Sequence, residues 1–93
     1  MLGFTGNTAG KIFNEDKFTV VKKSLAEGEK IEKHNHPNEI VLFIVVKGCL
    51  KIILGNNEEH TLKPGEILKF DGDNFICAEA PVDSEAFVTL IKK

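Results

Sequence analysis

The sequence lacks any run of basic residues. Its 12 Lys and Arg are interspersed with 14 Asp and Glu, and the formal net charge is −2, so we expect no electrostatic patch for nucleic acid or for an anionic membrane. The longest apolar run, Ile40 to Val46, is far shorter than the roughly 20 residues of a membrane-spanning helix. Residues Met1 to Gly6 carry neither the basic nor the hydrophobic segment of a secretory signal. We therefore expect a cytoplasmic protein that binds neither nucleic acid nor membranes.

Catalytic signatures are also missing. The only two cysteines, Cys49 and Cys77, form no metal or redox motif, and we expect reduced thiols that act as small apolar side chains. The chain has no nucleophile elbow and no glycine-rich phosphate loop. We therefore assign no catalytic residue from the sequence.

Short apolar segments separated by Gly, Pro, Asn and Asp follow one another along most of the chain. This pattern predicts about eight short strands in one all-β domain, a sandwich or a barrel, over residues 18–93. Residues 1–17 are rich in Gly, Thr, Asn and charge, and we expect an N-terminal arm with at most one strand, near Lys11–Phe13. The segment Ser24–Lys33 contains helix formers but no apolar stripe, so it is not expected to be helical. The predicted strands are Phe18–Leu25, Lys30–His34, Glu39–Lys47, Cys49–Leu54, Glu59–Leu62, Glu66–Phe70, Ile76–Ala80 and Ala86–Ile91.

The strand Glu39–Lys47 is apolar on both faces. Apolar and polar residues alternate along a strand that has one face in water, so both faces of this apolar strand should be covered. One face would line the barrel interior, and packing of the other against a second subunit predicts a homodimer. Coverage by the N-terminal arm is the alternative.

Two histidines separated by one residue stand between two glycines at characteristic distances. The order is Gly28, five residues, His34, one residue, His36, four residues, Val41, six residues and Gly48. This resembles the first motif of the cupin family, G-x5-H-x-H-x3,4-E-x6-G, with Val41 in place of the glutamate. Side chains alternate along a strand, so the two imidazoles should face the same side.

The second half of the chain resembles the second cupin motif, G-x5-P-x-G-x2-H-x3-N, less closely. If the motif begins at Gly65, Asp71 stands at the proline, Asp73 at the glycine, Ile76 at the histidine and Ala80 at the asparagine. The resemblance extends from about Phe18 to Ile91 and implies the family's fold, a jelly-roll barrel also described as a double-stranded β-helix.

The resemblance also implies a metal site, since cupins bind metal through the two histidines and the glutamate of the first motif and the histidine of the second. Here His34 and His36 match, whereas Val41 and Ile76 do not. Two imidazoles alone hold a divalent ion weakly, and functional sites bring three or four protein ligands. Glu39, on the same strand face as Val41, is the candidate for completing a site for Mn, Fe, Ni or Zn, although we favour no metal.

The replaced ligands predict a more apolar barrel interior and hence an organic ligand. The first hypothesis is a non-catalytic barrel that binds a small molecule at a site formed by His34, His36, Val41, Phe43 and Ile76. The second is a metal-dependent enzyme, a dioxygenase or isomerase, that uses His34 and His36. The third is a structural or regulatory module that senses pH or a metabolite.

Other candidate residues carry weaker signals. His60, among acidic neighbours, is expected to be solvated. The stretch Asp71–Asn74 resembles the start of a calcium loop but lacks the later ligands, and we expect a turn. The aromatic side chains are expected in the core rather than stacked on a ligand: Phe43, Phe70, Phe75 and Phe87.

Overall fold

The structure is a computed structural model that describes residues 2–93. This part of the chain forms nine strands and no helix, so it holds no helix long and apolar enough to cross a membrane. The strands are β1 (Gly10–Asn14), β2 (Phe18–Leu25), β3 (Lys30–His34), β4 (Glu39–Lys47), β5 (Leu50–Leu54), β6 (Glu58–Leu62), β7 (Ile67–Asp71), β8 (Ile76–Glu79) and β9 (Ser84–Lys92).

The strands form two antiparallel sheets that face each other. One has five strands in the order β1-β2-β9-β4-β7, and the other has four in the order β3-β8-β5-β6. Several strands pair with strands that are distant in the sequence; β4, for example, pairs with both β7 and β9. The all-β jelly-roll barrel expected from the sequence is confirmed.

Alternation along each strand places the core between the sheets. In β4, Val41, Phe43 and Val45 are 1%, 4% and 0% exposed. They face Leu50 and Ile52 of β5, which are 0% and 1% exposed. Full burial of such a side chain contributes about 1.5–3 kcal/mol, so these two strands form the centre of the barrel.

Strands β2, β3 and β4 begin and end at the residues predicted for them, and the later strands differ at their ends by one or two residues. The start of β7 shows the reason for one shift. The amide of Glu66 donates to the carbonyl of Lys63, and its side chain accepts from the Lys63 amide, so Glu66 closes the preceding turn. Strand β1, within the predicted arm, pairs with β2 as the edge of the five-stranded sheet.

The aromatic predictions hold in part. Phe43 and Phe70 lie in the core, 4% and 7% exposed. Phe75 is 46% exposed, so its assignment to the core is wrong: it precedes β8, and its ring contacts the ammonium of Lys33. Phe87 is only half-buried because alternation points it away from the core residues on either side of it.

Candidate functional site

A cavity of about 80 Å³ lies inside the barrel, between the two sheets. Its walls are mostly apolar, and its polar side chains are two imidazoles and one lysine. The lining residues are Val21, Lys23, Ile31, His34, His36, Val41, Phe43, Phe70, Ile76, Val88 and Leu90.

The two histidines are positioned by different elements. His34 ends β3, after an irregularity in its pairing with β8, and lies opposite Ile76. His36 belongs to the loop before β4, and its amide donates to the carbonyl of Gly72 at 2.7 Å. The two rings meet edge to face with centroids 4.8 Å apart, which brings the two Nε2 atoms to 3.0 Å.

The hydrogen bonds of His34 fix the protons on the pair. Its Nδ1 lies 2.7 Å from the carbonyl oxygen of Glu32, and a carbonyl only accepts, so Nδ1 carries the hydrogen. In neutral His34 the other nitrogen, Nε2, is then an acceptor. It follows that Nε2–H of His36 donates to Nε2 of His34, so each of these two nitrogens has a hydrogen-bond partner.

Glu39 lies on the far side of the His36 ring. Its Oε1 is 3.8 Å from Nδ1 of His36, whereas the nitrogen shared with His34 is Nε2. Burial lowers the pKa of His36 below its ordinary value, and the neighbouring His34 lowers it as well. Glu39 acts in the opposite direction, and the charge of Lys23 adds a smaller downward contribution. Neutral His36 is therefore the form favoured by its surroundings.

The turn after β7 supports the histidine loop. The amide of Gly72 donates to the carbonyl of Glu39 at 2.7 Å, which complements the bond from the His36 amide to Gly72. A Cβ on Gly72 would collide with the carbonyl oxygens of His36 and Glu39, so only glycine allows this approach. As expected, residues 71–74 form a turn rather than a calcium loop.

Lys93 ties the two aspartates of this turn together. Its ammonium donates to both carboxylate oxygens of Asp71, at 2.8 and 2.7 Å, and to Asp73 at 3.1 Å. The hydrogen bond from Lys93 lowers the pKa of Asp71. The pKa of Asp73 is lowered first by the backbone amide of Asn38 and then by Lys93. Both carboxylates are thus engaged at the surface.

The donor set does not match a resident metal ion. Over residues 2–93 the structure brings together no group of three or more His, Cys, Asp or Glu with the geometry of a metal site. Glu39 does not line the cavity, and its carboxylate approaches the Nδ1 side of His36. The positions of the family's other two ligands hold Val41 and Ile76, 1% and 2% exposed. Two imidazoles without a carboxylate fall short of the three or four protein ligands of functional sites.

All five side chains expected at the barrel interior line the same cavity: His34, His36, Val41, Phe43 and Ile76. Sequence reasoning missed Lys23, which shares a strand face with the cavity residue Val21. Alternation along β2 could have indicated it. As expected from the same alternation, Cys77 points away from its neighbour Ile76, which is buried. Cys77 borders a larger groove of about 500 Å³ on the outside of the four-stranded sheet, whose lining residues include neither His34 nor His36.

Comparisons with known proteins agree with this architecture. The family model described as "Cupin domain" matches residues 22–88. No curated protein matches the chain.

Solved structures with the same fold are similar over most of the chain. A cupin family protein with a double-stranded β-helix fold from Methanocaldococcus jannaschii has a TM-score of 0.79 and 23% identity, over 97% of this chain and 87% of its own. The cupin domain of an XRE family transcriptional regulator from Enterobacter cloacae has a TM-score of 0.79 and 21% identity, over 89% of this chain and 93% of its own. A conserved protein of unknown function from Streptococcus pyogenes has a TM-score of 0.80 and 14% identity, over 89% of this chain and 71% of its own. At these identities the likeness shows the fold alone, while the match to the family model covers more than half of the sequence, and the chain belongs to the cupin family.

Proposed function

We propose that this cupin barrel binds a small organic molecule in its interior without a resident metal ion. The observation that carries the proposal is the apolar cavity with the His34–His36 pair at its polar side. The imidazole nitrogens that metal-binding cupins offer to an ion are here bonded to each other. Val41 and Ile76 place aliphatic side chains in the cavity lining at the positions where metal-binding cupins have metal-coordinating side chains. A mainly apolar lining of this kind suits a site for an organic molecule.

The cavity volume limits the size of the ligand. At about 30 Å³ per molecule of liquid water, 80 Å³ corresponds to two or three waters, hence to about three non-hydrogen atoms of a ligand inside the cavity. Small ligands gain at most about 1.5 kcal/mol per such atom, so the dissociation constant should lie between low micromolar and millimolar.

The charge around the cavity favours an anionic head group. Lys23 is exposed and lines the cavity, and within residues 2–93 it forms no ion pair with a carboxylate at 4 Å or less. A carboxylate there would also accept the hydrogen bond that His36 now gives to His34. We therefore propose a short aliphatic monocarboxylate, with its chain among Val41, Phe43 and Ile76 and its charge beside Lys23.

Titration of 15N-labelled protein with butyrate, followed by NMR, tests this proposal. The expected result is saturable shifts of the His34, His36 and Val41 amides at micromolar to millimolar ligand. Butanol and butylamine, which have the same chain without the negative charge, should bind more weakly. Absence of saturable shifts at the cavity would overturn the proposal.

Two lysine variants separate the cavity from general charge effects. Lys23→Met should weaken butyrate binding severalfold and leave butanol binding unchanged. Lys30→Met is the matched control, because Lys30 is an exposed lysine on the other sheet, paired with Glu79. Equal weakening by both variants would mean that the anion is held by overall charge.

A metal-dependent enzyme, of dioxygenase or isomerase type, is the competing hypothesis, and one distance favours it. Two nitrogens 3.0 Å apart have about the spacing of adjacent ligands that each lie about 2.1 Å from one ion. Elemental mass spectrometry should be run on untagged protein, purified without chelator and then incubated with Mn, Fe, Ni or Zn. Near-stoichiometric metal that is lost in His34→Ala would support the enzyme and contradict the metal-free proposal.

A further inference from the structure

The groove of about 500 Å³ beside Cys77 lies on the outer surface of the four-stranded sheet, and we call it the outer groove. Strand pairing shows how it is built. One row of outward side chains crosses all four strands, and a second, shorter row runs parallel to it, two residues away along each strand. The first row is Lys30, Glu79, Lys51 and Thr61; the second is Cys77, Ile53 and Glu59.

The residues between the two rows form the floor of the outer groove. Ala78 and Ile52 are paired there across β8 and β5, and they are 6% and 1% exposed. Side chains alternate along a strand, so these two point into the core and leave the floor low. The two rows therefore stand as walls, one charged and the other mainly apolar.

A lysine on the charged wall has no acidic partner. In the strand register Glu79 lies between Lys30 and Lys51. Its Oε2 is 3.7 Å from Nζ of Lys30. Within residues 2–93 no carboxylate oxygen lies within 4 Å of the Lys51 ammonium. Lys51 therefore presents an uncompensated positive charge to the groove.

A carboxylate at the end of the opposite wall has no basic partner. Glu59 is exposed and, across the described residues 2–93, forms no ion pair within the same distance. The neighbouring His60 engages Glu58 instead, at 2.6 Å. Glu59 lies opposite Ile53, two residues from Lys51 along β5. The two free charges thus belong to diagonal neighbours on adjacent strands, about 7–8 Å apart.

We propose that the outer groove binds a short peptide with free ends and apolar side chains, in the simplest case a dipeptide. The peptide carboxylate meets Lys51, the peptide ammonium meets Glu59, and the side chains lie against the apolar wall. An extended dipeptide spans about 7 Å at 3.3–3.6 Å per residue, which matches the diagonal separation of the two charges. Ile53, at the centre of the apolar wall, is 37% exposed and offers surface for the contact.

The volume of the outer groove suits a ligand of this size. At about 30 Å³ per water, 500 Å³ corresponds to about 17 waters and to about as many non-hydrogen atoms, the size of a dipeptide of two leucines. The interior cavity of about 80 Å³ is too small for it, and the two sites share no lining residue. Binding in the outer groove is therefore independent of binding inside the barrel.

Titration of 15N-labelled protein with Leu-Leu, followed by NMR, tests the proposal. We expect saturable shifts of the Ile53, Glu59 and Cys77 amides, with a dissociation constant of roughly 0.1–10 mM for this open site, and none at His36. Leucine alone cannot reach both charges, and N-acetyl-Leu-Leu amide lacks them, so both should bind at least about threefold more weakly. Equal binding by either compound, or absence of saturable shifts at the groove, would overturn the proposal.

Three variants test the two charges. Lys51→Met and Glu59→Gln change exposed side chains, so they should fold normally, and each should raise the dissociation constant of Leu-Leu about two- to fivefold. Neither should alter binding of the blocked peptide. Lys69→Met is the matched control, at an exposed lysine on β7 of the other sheet, and should leave binding unchanged. Equal weakening by Lys51→Met and Lys69→Met would mean that overall charge attracts the peptide, and it would refute the site.

Alkylation of the two free thiols provides a second readout. Cys77 lines the outer groove, whereas Cys49 does not, and both are partly exposed. Saturating Leu-Leu should slow the reaction of Cys77 with iodoacetamide severalfold and leave that of Cys49 unchanged, as measured by peptide mass spectrometry. If the peptide slows both thiols equally, or neither, the groove is not where it binds.

Discussion

Replacing Val41 by glutamate should convert the cavity into a metal site at a cost in stability. Val41 is 1% exposed and lines the cavity together with His34 and His36. It occupies the position of the glutamate in the cupin motif. Val41→Glu therefore supplies the third protein ligand beside two imidazoles whose Nε2 atoms already lie 3.0 Å apart.

The magnitude follows from burial of the new carboxyl group. The cavity of about 80 Å³ accepts the additional atoms, so electrostatics dominates the cost. An apolar environment raises the pKa of a glutamate by as much as 3–5 units, so the group takes up a proton on folding at pH 7. Protonation from a pKa of about 4.3 costs about 3–4 kcal/mol at that pH, which lowers the melting temperature by roughly 15–25 °C.

The loss should depend on pH and on metal. The folded variant holds a proton that the unfolded chain releases above about pH 4.3, so the penalty relative to wild type grows as pH rises and vanishes near pH 4. Nickel or manganese at about 100 times its dissociation constant should restore about 2.7 kcal/mol.

Thermal melts followed by circular dichroism suit a chain with no tryptophan or tyrosine. Val41→Gln, of similar shape but without charge, should show neither the pH dependence nor the rescue. If metal raises the melting temperature of Val41→Glu no more than that of Val41→Gln, a carboxylate at position 41 does not complete a metal site.

Three further perturbations test the support of the site and of the fold. Gly72→Ala should cost about 3 kcal/mol or more in urea unfolding, because its Cβ would meet two backbone carbonyl oxygens of the histidine loop. Gly55→Ala has open space around its Cβ and should cost only about 1–2 kcal/mol for its left-handed backbone; equal losses would contradict the steric argument. Ser84→Ala should also cost about 1–3 kcal/mol, since this serine is 3% exposed and its hydroxyl accepts from the backbone amide of Cys49 at 3.0 Å. Ser24→Ala, on the exposed surface, is the control and should change stability by less than about 0.5 kcal/mol. A small effect of Ser84→Ala would mean that the Cys49 amide finds another acceptor. Because the pKa of His36 is lowered in the folded protein, the unfolded chain binds more protons at this residue near neutral pH. The contribution of His36 to stability is therefore complete above pH 6.5 and declines as pH falls through the folded-state pKa. Urea midpoints should show this decline in wild type and not in His36→Gln, and a rise in the wild-type midpoint on acidification in that window would refute the prediction.

The fold could be predicted from the sequence because local and long-range signals agree. In β4 the apolar run predicts a strand covered on both faces, and the structure places Val41 and Phe43 in the core and Ile44 on the opposite face. Turn residues mark most strand ends. Phe75 was misassigned because a single aromatic residue beside a turn gives no periodicity from which to infer its side.

Strand periodicity predicts the face of Glu39 but not the place of its carboxylate. The register of β4 with β9 is unbroken from Glu39 to Val45, so Glu39 keeps the strand face of Val41. The preceding Asn38 has a φ of +64°, so the chain turns immediately before β4. The backbone carbonyl of Glu39 is then held by the amide of Gly72, 33 residues later in the sequence, and the carboxylate is directed to the Nδ1 side of His36. Only a contact between distant segments determines this, and a local pattern does not contain it.

The same geometry explains how two motif histidines persist without the rest of a metal site. Both imidazoles are half-buried, so a ring nitrogen shut off from water without a partner would destabilise the fold by up to about 1–3 kcal/mol. Here the carbonyl of Glu32 fixes the tautomer of His34, and His34 in turn accepts from His36, so the pair is self-sufficient. Within residues 2–93 no buried side-chain nitrogen or oxygen lacks a partner. The H-x-H pair with its flanking glycines therefore marks the place of the site, and we propose that the residues at positions 41 and 76 decide whether that site holds an ion.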